Sequence, residues 1–157
     1  MTRLCFVCQG NICRSPLAEG VFKHLAAQAG RAADFQVESA GLGRWHLGDP
    51  PDSRAQRVAR AHGVALAGRA QQFRPGDFAR FDLVLALGED IYGELVDLAP
   101  TPAARAKVRY LREYDPAAGQ DRDVPDPYYG DLRDFEHAYT LIERACRALW
   151  ADLAAGR

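Results

Sequence analysis

No apolar run in this chain approaches 18 residues, so no segment is expected to span a membrane. An excess of one charge is also lacking. The formal net charge is -1, which leaves no global electrostatic pull toward nucleic acid or a membrane surface. Any affinity for an anion must come from a local site. Lysine is nearly missing and occurs only at Lys23 and Lys107; no function is drawn from that. Cysteine is scarce and oddly placed, with Cys5, Cys8 and Cys13 in the first thirteen residues and Cys146 near the end. That is not the spread of a secreted disulfide scaffold. The opening MTRLCFVC has too short an apolar stretch for a signal peptide, so a reducing, cytoplasmic setting is the expectation. Repeats, low-complexity tracts and linkers are absent as well, so the chain reads as one domain over residues 1–157. Its 48% hydrophobic content suffices for a core without covalent staples.

What is present alternates strand-like and helix-like segments. Leu4–Val7 is a short apolar run that fits a buried parallel strand. Pro16 suits the first turn of a helix, Leu17, Val21, Phe22 and Leu25 follow at helical spacing, and Gly30 is a stop. Further strands are expected over Phe35–Ser39, Asp82–Leu87 and Val108–Leu111. Helices are expected over Ser53–Ala61, with Ser53 as cap, over Glu89–Leu98, and from about Leu132 to Leu153. Phe35–Ser39 leads into a loop rich in glycine and proline over Gly41–Asp52. The longest irregular segment is 114–130, YDPAAGQDRDVPDPYYG, and a loop of that length in a small domain is usually functional or disordered. The pattern predicts an α/β domain with a central four-stranded parallel sheet flanked by helices on both faces. Ligands in such folds bind beyond the carboxyl ends of the strands, where Cys8–Ser15 leaves the first strand.

That loop carries a chemistry. Successive backbone N–H groups running into a helix N-terminus form a cradle for an anion. Gly10 permits the turn, and Arg14 adds a planar fork for two phosphate oxygens. The same positive surroundings favour a thiolate at Cys8. A nucleotide-binding glycine-rich loop is excluded, because its obligatory lysine is missing here. A metal site is not supported, since Cys8 and Cys13 are only two soft ligands with no histidine nearby in sequence. What remains is covalent phosphoryl transfer to sulfur, and no cofactor is implied. Its general acid stays open among Asp121, Asp123 and Asp126. By residue type, Tyr128 and Tyr129 either pack their long loop or, with Trp45, wall a site for a phenyl ring, with Ile12 as an apolar contact on the rim.

VCQGNICRSPLAEGVF (residues 7–22) resembles the signature of the low-molecular-weight protein tyrosine phosphatases. VESAGLGRWHLGDPPDSRA (37–55) resembles that family's segment after the second strand, and DPYYGDLRDFEHAY (126–139) its acid loop and last helix. The resemblance covers nearly the whole chain in order and spacing. It implies a phosphotyrosine phosphatase acting on a phosphotyrosine protein or small aryl phosphate, with no nucleic-acid or membrane partner. It implies that Cys8 attacks phosphorus, that Arg14 and the amides of Gln9, Gly10, Asn11, Ile12 and Cys13 hold the phosphate, and that Ser15 eases departure of the sulfur. It selects Asp126 as acid and then base, and makes Asn11, Ser39 and Asp52 supports of the loop, with Arg54 beside Asp52. Cys13 by itself reads either as a small residue filling space under the loop or as a redox guard for Cys8, and the resemblance implies the second. It likewise favours Tyr128 and Tyr129 as walls.

Several residues have plainer readings. Cys5 and Cys146 are expected as packed core thiols. His24, His62 and His137 are expected on helix surfaces; His46, beside Trp45, either lines the site or is a plain loop residue, and the loop reading is preferred. Three departures from the family pattern stand out. Gln9 makes the rim more polar, Gly68 replaces a histidine behind the loop, and Gly88 in LALGED replaces an aspartate, so a polar contact is expected to be lost there. Rival readings are a phosphoarginine phosphatase, which in relatives carries threonine at the Ile12 position and lacks the paired tyrosines, an arsenate reductase, and a non-catalytic phosphopeptide module. The reductase needs extra redox cysteines on a mobile segment. The binding module needs neither thiol nor acid.

Overall fold

Strand β1 (Thr2–Cys8) is buried on both faces from Leu4 onward, which is why its sequence reads as a continuous apolar run rather than an alternation. The computed structural model describes residues 1–156. In it β1 lies between β2 (Phe35–Gly41) and β3 (Leu83–Ala86), and β4 (Val108–Tyr110) adds to the far edge of β3. The order is β2-β1-β3-β4 and every pairing is parallel. Leu4 and Phe6 face one core, with α1 (Arg14–Gln28), α2 (Ser53–Ala61) and α5 (Leu132–Ala154) packed over it. Cys5 and Val7 face the other, covered by α3 (Glu89–Leu98), the short α4 (Pro102–Arg105) and the aromatic group Phe73, Phe78 and Phe81. Helices therefore cover both faces of a four-stranded parallel sheet. No helix among the described residues is long and apolar enough to cross a membrane.

The chain leaves β1 for β2 on one side and reaches β3 on the other, so the sheet order reverses beside β1. The crevice at that reversal, beyond the carboxyl ends of the strands, is where this class of sheet holds ligands. Cys8 is the last residue of β1.

Local differences from the expected elements have simple causes. Strand β2 continues two residues past Ser39, because Ala40 and Gly41 keep pairing with Val7 and Cys8. The third and fourth strands are shorter than expected, as the chain turns away into helical segments after Ala86 and Tyr110. Asp52, not Ser53, caps α2: its carboxylate accepts from the Arg54 N–H at 2.8 Å, and Ser53 is the first helical residue. Helix α4 was not expected; Thr101 caps it by accepting from the Ala104 N–H. Residues 114–130 stay irregular apart from Tyr114, which ends a 3-10 turn begun at Leu111, and a 3-10 turn at Pro116–Ala118. Asp131 then starts α5 with a reciprocal cap involving Asp134. The stripe of Phe135, Tyr139, Ile142, Cys146 and Leu149 is buried against the first core, with Leu153 at its margin.

Candidate active site

Between Cys8 and Arg14 the chain must reverse within five residues. Asn11 makes this possible with φ 59, the left-handed region that asparagine tolerates better than most side chains. The turn aims the Asn11 N–H at the Cys8 sulfur, 3.3 Å away, and Ser15 Oγ lies 2.9 Å from the same sulfur. Gly41 lets the loop lie this close to β2: a Cβ there would stand 2.8 Å from the Gln9 carbonyl oxygen and 3.0 Å from the Asn11 nitrogen.

Behind the sulfur the hydrogen bonds form an ordered relay. The Gln71 N–H donates to Asn11 Oδ1 at 2.9 Å, which fixes that atom as the oxygen. Asn11 Nδ2 therefore donates to Ser15 Oγ at 2.8 Å and to Ser39 Oγ at 3.0 Å. Ser39 donates onward to Glu19 Oε1 at 2.5 Å. Since Ser15 accepts from Asn11, its own hydrogen is free for Cys8, which is closer than the Ala40 carbonyl at 3.4 Å. The network thus closes on Gln71 and Glu19, while Gly68 makes a positive-φ turn nearby with no side chain to add. Asn11, Ser15 and Ser39 are all buried.

Arg14 lies at the start of α1 with 2% of its side chain exposed. Its Nη1 donates to Asp90 Oδ1 at 3.1 Å and to the Val124 carbonyl at 3.0 Å, and its Nη2 to Asp90 Oδ2 at 3.0 Å. Asp126 Oδ2 is 3.7 Å from Nη2. Burial opposes the guanidinium charge, but Asp90, Cys8 and Asp126 more than offset it and hold Arg14 above its ordinary pKa. Asp90 was not anticipated from sequence. The expectation that Gly88 leaves a polar contact missing is corrected here, because the carboxylate two residues later reaches back.

Among the three aspartates left open by residue type, the structure separates the positions. Asp121 pairs with Arg112 Nη1 at 2.8 Å. Asp123 Oδ1 accepts from the Glu89 N–H at 3.0 Å, at the start of α3. Asp126 faces the cup, its Oδ1 accepting from the Tyr128 N–H at 3.1 Å. The segment is stitched down on either side of it. The Val124 N–H donates to the Leu87 carbonyl, and Arg54 Nη1 donates to the Gly130 carbonyl. Arg54 also pairs with Asp52 at 2.9 Å and lies over the rings of Tyr128 and Phe135, while the Asp52 N–H donates to the Ile12 carbonyl. Asp52 thereby links the Cys8–Arg14 loop to α2.

These groups enclose one cavity of about 390 Å³. Its floor is Cys8 with Gln9, Gly10, Ile12, Cys13 and Arg14, and its walls are Trp45, His46, Asp126, Tyr128 and Tyr129. Trp45 is 76% and Tyr129 95% exposed, Trp45 lying over Gly43 and Tyr129 edge-on to Tyr128, whereas Tyr128 is half-buried and packs on His46. Of the two readings of His46, the preferred loop residue gives way to the site-lining one: its ring lies against Gly10, in the wall. Its position beside Trp45 was the one available signal. Asn11, Ser15, Ser39 and Asp52 support this cavity from behind or below. His24 is half-buried, His62 and His137 are exposed, and His62 stacks on Tyr139. Cys5, Cys13 and Cys146 are buried thiols whose pKa values burial pushes up. Among the described residues no group of three or more His, Cys, Asp or Glu side chains is placed to hold a metal ion.

The family model described as low molecular weight phosphotyrosine protein phosphatase matches residues 3–157. A low molecular weight protein-tyrosine-phosphatase of Streptomyces coelicolor is 49% identical over 150 residues, covering 95% of this chain and 92% of that protein. A protein tyrosine phosphatase of Entamoeba histolytica, solved with Hepes in its active site, superposes with a TM-score of 0.93 at 33% identity, covering 99% of each chain. An arginine phosphatase of Drosophila superposes with a TM-score of 0.88 at 32% identity, covering 98% of each.

Proposed function

Because the chain belongs to the low molecular weight phosphotyrosine protein phosphatase family, we propose that it hydrolyses phosphotyrosine and other aryl phosphate monoesters through a phosphocysteine on Cys8. It is a phosphoric monoester hydrolase, and the single domain of residues 1–157 is the catalytic unit. The observation that carries the mechanism is the shared cavity of Cys8, Arg14 and Asp126, with Ser15 Oγ 2.9 Å from the sulfur.

The phosphate sits in the cup with its oxygens on the amides of residues 9–13 and on Arg14, which meet the charge that builds on the equatorial oxygens. The Cys8 sulfur forms a bond to phosphorus as the phosphorus–oxygen bond to the phenol breaks, and Asp126 protonates the departing oxygen. Asp126 then takes a proton from water, which attacks phosphorus and releases the sulfur. Ser15 donates to the sulfur as it leaves. Asn11, Ser39 and Asp52 hold these groups in place. Trp45, Tyr128 and Tyr129 receive the ring, and Ile12 offers the rim contact that favours an aryl group over phosphoarginine. Substrates are phosphoproteins or small aryl phosphates, and the site needs no cofactor. Cys13, buried on the cavity floor beside Cys8, serves as the redox partner.

The test is turnover of p-nitrophenyl phosphate and of matched phosphotyrosine, phosphoserine and phosphoarginine peptides. Cys8→Ser is expected to abolish turnover, and Asp126→Asn to lower it by roughly 10²–10⁴-fold. Acid quenching of the wild type in turnover should trap phosphate on Cys8. Undiminished activity of Cys8→Ser would overturn the covalent route. A preference for phosphoarginine would overturn the substrate reading alone.

A further inference from the structure

A guanidinium has five N–H groups. In Arg14 three of them are taken: two on Nη1, by Asp90 Oδ1 and the Val124 carbonyl, and one on Nη2, by Asp90 Oδ2. The two that remain, on Nε and the other face of Nη2, share one edge of the plane. Among the described residues no hydrogen bond takes these two donors, although Asp126 Oδ2 stands 3.7 Å from Nη2 as an ion pair, and they are the pair whose spacing matches two oxygens of a phosphate. We propose that Asp90 is a positioning residue for Arg14: it clasps the far edge of the guanidinium so that the near edge is held toward the cup. The proposal rests on the reading of Arg14 as the phosphate clamp.

The way Asp90 reaches Arg14 is written into Gly88. This residue precedes α3 in an extended conformation, and a Cβ on it would stand 2.5 Å from Asp90 Oδ1, 2.7 Å from Arg14 Nη1 and 2.7 Å from Asp123 Oδ1. Three polar side chains thus converge on the volume that any other residue would fill. The glycine forms a notch, and the Asp90 carboxylate lies in it. Asp90 itself keeps 50% of its side chain exposed while Arg14 keeps 2%. The pair is therefore anchored on the buried side and wet on the other, so it sets the direction of Arg14 more than it adds to stability. Orientation is what a bidentate clamp needs, since a misplacement of about 1 Å can cost on the order of 10²-fold in rate.

The experiment is a double-mutant cycle between Asp90→Ala and Arg14→Lys, read both by kcat/KM on p-nitrophenyl phosphate and by calorimetric binding of inorganic phosphate. Asp90→Ala is expected to lower kcat/KM by roughly 10–100-fold and to weaken phosphate binding, with the melting temperature little changed. In the Arg14→Lys background the same substitution should cost less than about threefold, because a lysine has no edge to orient. Gly88→Ala, which displaces the carboxylate without removing it, should weaken phosphate binding in the same direction. Wild-type kcat/KM and phosphate affinity in Asp90→Ala would overturn the proposal, as would an equal loss in both backgrounds. Either result would leave the phosphatase reading standing if the wild type turns over. A wild type that neither turns over nor binds phosphate would instead remove the reading on which this proposal rests.

Discussion

Asn11 carries more structure per atom than any other residue of the loop, and replacing it separates backbone from side chain. Its amide makes hydrogen bonds with Ser15, Ser39 and the Gln71 N–H, and its backbone sits at φ 59. Asn11→Gly keeps the turn and removes the three bonds. At about 1 kcal/mol for each buried bond, the loss is roughly 3 kcal/mol. In a domain of this size that lowers the melting temperature by roughly 6–12 °C. Asn11→Ala removes the same bonds and adds a side chain ill suited to the left-handed region, worth about 1 kcal/mol more. The catalytic effect has its own signature. Without Asn11 Nδ2, Ser15 Oγ is no longer held as an acceptor, and its hydrogen is free to turn to the Ala40 carbonyl. Release of the sulfur should slow more than its attack, so stopped-flow traces should show a larger burst of phenol before a slower steady state. Urea titration measures the stability term and rapid mixing the kinetic one. If Asn11→Gly stays within about 1 kcal/mol of wild type and shows an unchanged burst, the relay behind Cys8 is not what holds or assists it.

Arg112 is 4% exposed and grips the acid segment through Nη1, at 2.8 Å from Asp121 and 2.7 Å from the Asp123 carbonyl, while its Nε finds no partner among the described residues. Arg112→Met should loosen Asp126, lowering phenyl phosphate turnover by roughly tenfold and p-nitrophenyl phosphate turnover less, since the better leaving group needs less protonation; equal losses on both substrates would refute a role through the acid. Burial tends to raise the Asp52 carboxyl, but the Arg54 side chain and backbone N–H outweigh it, and the folded pKa lies below the ordinary range. The stability this contributes is full above the unfolded value of about 3.9 and is lost as pH falls through the folded one. The gap between wild type and Asp52→Asn should therefore shrink below about pH 4; a gap constant with pH would contradict the assignment. After brief exposure to hydrogen peroxide, Cys8 and Cys13 should join as a disulfide, the peroxide being reduced to water, and dithiothreitol should restore activity. Cys13→Ser should lose that recovery, and full recovery in the variant would remove Cys13 as guard.

The parts of the site that were legible in the sequence are those compressed into one stretch. Cys8, Gly10, Asn11, Arg14 and Ser15 lie within eight residues at the end of an apolar strand, so their chemistry and their place in the fold can be read together. Asp126 was singled out only through the family motif, because three aspartates of the same loop are equivalent by type. Their separation comes from partners far along the chain: Arg112 for Asp121 and the Glu89 N–H for Asp123. Asp90 was invisible for the same reason, being 76 residues from Arg14, and attention to the missing side chain at Gly88 pointed away from it. Ser53 and Asp52 are adjacent good caps, and the sequence preference for Ser53 missed by one position because the choice rests on where the helical backbone begins. His46 sits in a wall only because the loop after β2 folds back onto Gly10.

The stitching of the acid segment sets a limit on motion. Val124 is fully buried, its N–H bound to the Leu87 carbonyl and its carbonyl to Arg14. Asp126 follows two residues later, and two residues of chain reach about 7 Å at most. On the other side Arg54 holds Gly130. Asp126 is thus on a short leash between two pegs, and one peg is Arg14, the proposed phosphate clamp. The carboxylate of Asp126 is thereby kept within a short reach of the Cys8 cup. The same knot means that an Arg14 substitution is never a clean deletion of a charge: it also removes the bond to the Val124 carbonyl that ties down the segment carrying Asp126, the acid of the proposed mechanism.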